Sequence, residues 1–168
     1  MKNEPHLPAV SEQEKTGYLT LFQKCVHPND RPTWESFVNE LKDYSQDDNY
    51  ISTLNFVLEK LQQADLSFIT YFDWKQDVID LATYIHRAAK RHYALDIVLP
   101  DPHAYGTEAS ISTENVFEDY DQCLRNHQLQ LGFIDTDADE YLLFIHYIAD
   151  IDAIESAVHA IGYAYYEV

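Results

Sequence analysis

The sequence predicts an α+β domain in which a helical front half precedes a mostly antiparallel sheet. Three observations favour this class. Residues 11–63 repeat their apolar side chains at the spacing of amphipathic helices. Residues 66–168 contain runs of aromatic and β-branched residues, which are typical of strands, between further helical patterns. With four glycines and six prolines in 168 residues, the chain is not of low complexity.

The front half carries signals for three helices. Ser11 and Glu14 have the spacing of a capping box, which predicts the start of the first helix. Thr33 is the expected N-cap of the second helix. Asp47 and its neighbour are expected to open the third, with Ile51 on its buried side. The ten residues before Ser11 form a polar lead that we expect to be mobile.

The back half predicts strands and helices in the order β-α-β, α, β-β-α-β. The expected strands are residues 67–74, 94–99, 129–134, 140–147 and 163–168. Helices are expected from residue 76, after Thr113 and from Asp150. We expect all of these helices to pack on one face of the sheet, and residues 1–168 to form a single domain with a helical segment (11–63) and an α/β segment (66–168).

Acidic residues are concentrated in the second half of the chain. Of 29 acidic residues, 15 lie between His92 and Val168, where Arg125 is the one basic residue, so this part has a net charge of −14 of the total −18. It also holds eight of the 13 tyrosines, which a disordered acidic tail would lack. A folded acidic surface repels nucleic acid and attracts cationic proteins. We therefore expect a basic protein as partner and no nucleic acid.

The chain offers no signal for a membrane, a secretory pathway or a disulfide. Its longest strictly apolar run, Tyr141–Ile145, is far shorter than the ~20 residues of a membrane-spanning helix. Cys25 and Cys123 are far apart and form no CxxC motif, which indicates free thiols in a reducing compartment. We expect a cytoplasmic protein that has no membrane partner.

Asp135, Asp137 and Asp139 have the spacing of the first calcium ligands of an EF-hand loop. Glu140 stands where that loop needs glycine, and His146 stands where it needs a bidentate glutamate. A hairpin turn with solvated carboxylates is the favoured interpretation, and a weak cation site stays open. The histidines show no metal-ligand spacing, and no nucleophile motif is present, so no cofactor and no catalytic residue is predicted.

Arg87, Lys90 and Arg91 form the one basic cluster in the sequence, at the end of a predicted helix. A nucleic-acid patch is one interpretation. Cations that complement the negative end of the helix dipole are the simpler one, and the strongly negative net charge favours it.

Two short motifs carry a resemblance to a known family. The Asp73-Trp74-Lys75 turn lies where the first predicted strand becomes a helix, and the Asp-Thr-Asp-x-Asp hairpin from Asp135 to Asp139 precedes the terminal strand. Over roughly residues 66–168 the chain resembles a family of small uncharacterised bacterial domains. The resemblance implies a bacterial cytoplasmic context and no particular activity.

The resulting hypothesis is a non-enzymatic acidic interaction protein, for example an immunity or inhibitor protein that masks a basic toxin. Tyrosines would supply contact area and carboxylates would steer the partner. A small cation-dependent hydrolase that uses the Asp135–Glu140 turn is one alternative, and an oligomer subunit without a separate ligand is another. The expected partner-binding residues are Glu118, Asp119, Asp121, Asp135, Asp137, Asp139 and Glu140, with Tyr105 and Tyr141 as aromatic anchors.

Overall fold

The computed structural model of the chain describes residues 6–168 and contains six α-helices and four β-strands within them. In chain order these are α1 (Glu12–Cys25), α2 (Arg31–Asn39), α3 (Thr53–Gln63), β1 (Ile69–Asp73), α4 (Val78–Tyr93), α5 (Val116–Arg125), β2 (Leu129–Asp135), β3 (Glu140–Tyr147), α6 (Ile151–Ala160) and β4 (Ala164–Glu167). The α+β class is confirmed. For residues 1–5 the expected mobile lead lies outside the described residues, whereas Ala9 forms a β-bridge with Lys42 and is not free.

The four strands form one antiparallel sheet in the order β1-β3-β2-β4. The β2–β3 hairpin occupies its centre, and β1 and β4 are the edge strands. The register places Asp73, at the end of β1, opposite Glu140, at the start of β3. At the other end of the hairpin, Gln130 stands opposite His146.

Helices cover both faces of this sheet, so the expectation that they pack on one face was wrong. One core combines buried residues of α1, α2, α3 and α6 with Ile134, Leu142 and Phe144 of the sheet. The other combines α4 and α5 with Leu143 and Ile145 among other sheet residues. The physical reason lies in β2 and β3, whose residues are buried in an unbroken run rather than at alternate positions, as in strands that are covered on both sides.

Residues 94–99 form no strand, which corrects the predicted second strand. The segment leaves α4 through Ala94 in the left-handed conformation (φ 55°). Its side chains do alternate, with Ile97 buried and Val98 89 % exposed, and this alternation produced the strand pattern. A strand also needs a hydrogen-bonded neighbour, and the segment has none within residues 6–168.

Helix starts were predicted with mixed success. The Ser11 cap is confirmed, because its side chain accepts a hydrogen bond from the Glu14 N–H. The second helix begins at Arg31, before Thr33. The third begins at Thr53, where Ser52 accepts from the Asn55 N–H, and Ile51 is exposed rather than buried. The fifth begins at Val116 instead of directly after Thr113.

Both cysteines are free thiols: Cys25 is buried and Cys123 is half-buried. Burial raises the pKa of the Cys25 thiol. In the described part of the chain, no helix combines the length and the apolar surface that crossing a bilayer requires.

Candidate functional site

The turn between β2 and β3 presents four carboxylates to solvent. Asp135, Asp137, Asp139 and Glu140 are all exposed. Asp137 adopts a left-handed conformation (φ 57°), and its backbone N–H donates to Asp135 Oδ1 at 2.9 Å. Aspartate tolerates the left-handed region better than most residues, and this local hydrogen bond stabilises the turn. The tight turn therefore forms without a glycine. The hairpin interpretation of this segment therefore describes its geometry correctly.

Beside this turn lies a groove of about 440 Å³, which we call the acidic–aromatic groove. It brings together parts of the chain that are far apart in sequence: the residue after β1, the turn, the start of β3 and the last strand. Two of its aromatic side chains are unusually open, with Trp74 46 % and Tyr166 40 % exposed. The groove is lined by Trp74, Ser112, Ile134, Asp135, Ala138, Asp139, Glu140, Tyr141 and Tyr166.

The sheet register explains how these side chains meet. Because Asp73 pairs with Glu140, the chain that leaves β1 places Trp74 beside the start of β3. Tyr166 of β4 pairs with Phe133, and their rings stack with centroids 4.9 Å apart. Strands thus hold the walls of the groove, and sites built on strands are held more rigidly than sites built on loops.

Tyr141 is fixed from below by an aromatic contact. Its ring packs edge-on against Phe117 of α5, with centroids 4.9 Å apart. Phe117 in turn packs edge-on against Phe133, at 5.2 Å. Such aromatic pairs are favourable beyond their buried area. They leave Tyr141 half-buried, as a wall of the groove rather than as a protruding anchor.

One cation already lies on an aromatic face of this region. Lys75 Nζ stands 4.6 Å from the centroid of the Trp74 ring, which is cation–π geometry. The indole ring is therefore presented so that an ammonium group can reach its face. Burial, and next the negative charge of Asp135, raise the pKa of Tyr166. The Tyr166 hydroxyl consequently stays protonated and can donate a hydrogen bond.

The remaining predicted residues lie outside this groove. Asp137 lines a separate depression together with Gly162 and neighbouring residues. Glu118 and Asp119 are exposed in the first turn of α5. The Tyr105 hydroxyl donates to Asp119 Oδ2 at 2.8 Å, and burial and this hydrogen bond raise the pKa of Tyr105. The Tyr105 hydroxyl is therefore already hydrogen-bonded within the protein, so it is not a free anchor for a partner.

Asp121 was wrongly grouped with the surface acids. Its side chain is buried, with an exposed fraction of 5 %. One carboxylate oxygen accepts from the Leu131 N–H at 2.7 Å, and the other accepts from Arg125 Nε. Both oxygens are occupied: the bond from Leu131 joins α5 to β2, and the bond from Arg125 lies within α5. Asp121 thus stabilises the fold and is not available to a partner.

Sequence reasoning missed a buried polar network at the opposite end of the β2–β3 hairpin. His146 and Gln130 are essentially inaccessible to solvent. His146 Nδ1 lies 2.8 Å from the Tyr147 carbonyl oxygen, so Nδ1 carries the proton and donates. His146 Nε2 then accepts from the Tyr165 hydroxyl at 2.7 Å. Gln130 Nε2 donates to Tyr165 at 3.2 Å and to Glu167 Oε1 at 2.6 Å.

This network, which we call the β4 network (Gln130, His146, Tyr165 and Glu167), fastens the last strand to the centre of the sheet. Burial lowers the pKa of His146, so the imidazole is neutral at pH 7. Burial also raises the pKa of Tyr165. The available signal was a histidine and a glutamine interrupting two apolar strands, at positions where an unpaired polar group would be costly.

No metal centre is formed by the described residues: within 6–168 no group of three or more histidine, cysteine, aspartate or glutamate side chains is arranged to hold an ion. The four carboxylates of the Asp135–Glu140 turn are exposed to solvent. The cation-dependent hydrolase thus has no supporting observation in this geometry.

The protein thus has an α+β fold with a layer of helices on each face of an antiparallel sheet. The chain belongs to the family described as a domain of unknown function (DUF6630), whose model matches residues 18–168. The expected membership of an uncharacterised domain family is confirmed, and the match extends beyond residues 66–168 to include the helical front. No curated protein and no solved structure matches the chain.

Proposed function

We propose that this protein is a non-enzymatic interaction protein that binds a basic protein partner through the acidic–aromatic groove. The observation that carries the proposal is the placement of Asp135, Asp139 and Glu140 around the exposed ring of Trp74. An immunity or inhibitor protein that masks the positive surface of a toxin is the most concrete form of this function.

Uncompensated charge supports this proposal. Glu140 faces Asp73 across the β1–β3 pair, and like charges directly opposite each other destabilise a sheet. Within residues 6–168, no lysine, arginine or histidine forms an ion pair with Asp135, Asp139 or Glu140. A partner's lysine or arginine would relieve the repulsion and form the ion pairs that the free protein lacks.

The exposed aromatic rings support a cationic partner in particular. An arginine or lysine over Trp74 or Tyr166 gains about 0.5–1 kcal/mol at an exposed site and about 2 kcal/mol when it is desolvated. Lys75 shows that the Trp74 face accepts an ammonium group, and a partner's cation would compete with it. Exposed tryptophan and tyrosine are also the residues that most often dominate binding energy at interfaces.

The net charge of −18 affects how fast a cationic partner associates, but it does not determine where on the protein the partner binds. A strongly negative protein attracts a positive partner over long distances and raises the association rate, and salt weakens this effect. General attraction of this kind acts on any cationic molecule. A test of the groove therefore compares two variants that lose the same charge, one inside the groove and one elsewhere on the surface.

The direct test uses a hexa-arginine peptide as probe and two variants of equal charge. Asp139→Asn with Glu140→Gln removes two charges inside the groove. Asp48→Asn with Glu155→Gln removes two exposed charges elsewhere. The groove variant should bind the peptide about tenfold more weakly in calorimetry, because up to about 1 kcal/mol per exposed ion pair is lost. The control variant should change affinity by less than about twofold.

Equal weakening by the two variants would show that net charge alone binds the peptide, and the groove would no longer be the proposed site. Trp74→Ala provides an independent test, since it removes the ring without changing the charge. The same variants should then be used to capture partners from native lysate. A basic protein retained by the wild type and by the control, and lost by the groove variant, is the expected result.

A further inference from the structure

A second groove, of about 880 Å³, lies between the edge strand β1 and helix α4. Its α4 wall presents Thr83, Arg87, Lys90 and Arg91, and its other wall includes Ser67 and further residues of the β1 segment. The groove therefore collects the basic cluster of the sequence on one side, in a protein that is otherwise strongly acidic.

We propose that this groove, which we call the basic groove, binds a small molecule that carries a phosphate group. Three cationic side chains and the hydroxyl groups of Ser67, Thr70 and Thr83 line it, and the cations outnumber the two carboxylates, Asp65 and Asp80, that also border it. A phosphate offers three strongly accepting oxygens, and arginine, lysine and hydroxyl donors are the groups that usually bind it.

Complementing the helix dipole accounts for only part of this arrangement. Lys90 and Arg91 belong to the last turn of α4, where cations offset the negative end of the dipole. Arg87 lies outside that turn and still faces the groove. The dipole also gives no reason for a cavity between the cations and the wall that holds Ser67 and Thr70.

The cations are available for exchange. Arg87 pairs with Asp65 at 2.9 Å, and both side chains are largely exposed, so water weakens this ion pair. Arg91 pairs with Asp30 at 3.2 Å, and Asp30 is not one of the residues that line the groove. Lys90 forms no ion pair with any carboxylate in the described residues 6–168. A bound phosphate would therefore gain the free Lys90 and the weakly held Arg87, whereas Arg91 would first have to leave the half-buried carboxylate of Asp30.

A buried polar atom without a partner adds a second observation. His92 lines the basic groove with an exposed fraction of only 6 %, and within residues 6–168 its Nδ1 has no hydrogen-bond partner. An orphaned buried nitrogen is rare in native proteins, and this one belongs to the same last turn of α4 as Lys90 and Arg91. That nitrogen is itself shielded from the groove, so a phosphate held by Lys90 and Arg91 would act on His92 through its negative charge rather than through a hydrogen bond.

The size and the floor of the groove indicate a ligand larger than phosphate alone. Small-molecule sites measure roughly 300–1,000 Å³, and this groove lies within that range, although most of the residues that line it are polar. Leu66, Phe72, Tyr84 and Ala88 are buried and line this groove. They offer an apolar surface to the organic part of a phosphorylated metabolite, while the three cations bind its phosphate.

The test titrates inorganic phosphate into the ¹⁵N-labelled full chain and follows amide resonances, with sodium chloride of equal ionic strength as the control for screening. Saturable shifts confined to the segments around Ser67–Thr70 and Thr83–His92 are expected. The imidazole of His92 should also titrate at higher pH in the presence of phosphate than its pKa of about 4, which burial and next the charge of Arg91 lower. No saturable shift at about 10 mM phosphate would overturn the proposal.

Two variants of equal charge locate the site. Lys90→Gln should weaken phosphate binding about tenfold, because a charge-assisted hydrogen bond is lost. Lys42→Gln, an exposed lysine outside the groove, should leave it unchanged. Equal weakening by both variants overturns the proposal. So does tighter binding of acetate than of phosphate, or binding of a single-stranded oligonucleotide in this groove without binding of phosphate.

Discussion

The two ends of the β2–β3 hairpin carry polar residues that the molecule treats in opposite ways. At the turn, Asp135, Asp139 and Glu140 are exposed and lie near another carboxylate, Asp73. At the other end, Gln130 and His146 are buried, and their hydrogen bonds run in one consistent direction from Gln130 to the Tyr147 carbonyl. A matched polar network stabilises, whereas unmatched charge at a surface is open to a partner. The comparison separates polar residues that hold the fold from those available for binding.

The largest expected effect is the loss of the β4 network. His146→Ala removes a buried ring and leaves the Tyr165 hydroxyl without its acceptor, so we expect a loss of about 3 kcal/mol in the free energy of unfolding. Asp139→Ala at the turn should change that free energy by less than about 0.5 kcal/mol. Urea denaturation of both variants measures the difference. Comparable losses would show that the two ends of the hairpin do not differ as described.

Gly132→Ala should be the next largest. A methyl group at this position would stand 2.7 Å from the Tyr165 ring and 3.0 Å from His146, so the network has to shift. Overpacking of this kind usually costs about 1–3 kcal/mol. Combining the change with Tyr165→Ala should give a loss smaller than the sum of the two single losses, because the obstructing ring is gone. Additive losses in thermal or urea denaturation would contradict this contact.

Lowering the pH from 7 to 5 should destabilise the protein through its buried histidines. Burial lowers the pKa of His146, and that of His92 to about 4, below the ordinary value near 6.5. Between these values the unfolded chain binds more protons than the folded protein. The stabilisation is therefore complete above about pH 6.5 and decreases as the pH falls, by about 1–2 kcal/mol at pH 5.

The measurement is urea denaturation at several pH values. His92→Phe should reduce the slope between pH 5 and 6.5. A variant at the exposed His103 serves as the matched control and should keep the slope of the wild type. A slope that is unchanged in His92→Phe would show that this histidine does not stay neutral in the folded protein.

The smallest effect is expected at the turn, and its sign is opposite. Glu140→Gln removes the like-charge contact with Asp73, so the free energy of unfolding should rise by about 0.3 kcal/mol. The same change should weaken binding of a basic peptide. A residue that reduces stability and improves binding is typical of a functional surface. A loss of stability would mean that Glu140 has a favourable contact instead.

Three cases show which features of the fold could be predicted from local sequence patterns and which could not. The hairpin was predicted from Asp135 to Glu140, and both flanking strands are found there, because strand pattern and turn chemistry are local properties. The strand at 94–99 failed because side-chain alternation is local while strand pairing is not. Asp121 was misplaced because its charge is visible in the sequence and its burial against Leu131 is not.

The candidate site was predicted in part. Asp135, Asp139, Glu140 and Tyr141 do share one groove, since they are close in sequence. Trp74 and Tyr166 join them through the β1–β3 and β2–β4 registers. Strand order depends on contacts between segments that are distant in sequence, so local patterns in one sequence do not reveal it. The same limit hid the β4 network, whose residues come from three strands.

By itself, the sequence determined the α+β class, the hairpin, the free thiols and an acidic surface in the second half of the chain. These follow from local periodicity, from turn residues and from a charge count, all of which act over a few positions. Only the tertiary structure decided that helices cover both faces of the sheet, which carboxylates stay unpaired and where the basic cluster meets a cavity. Those properties depend on contacts between segments distant in sequence, where burial changes the energy of a polar group far more than its identity does.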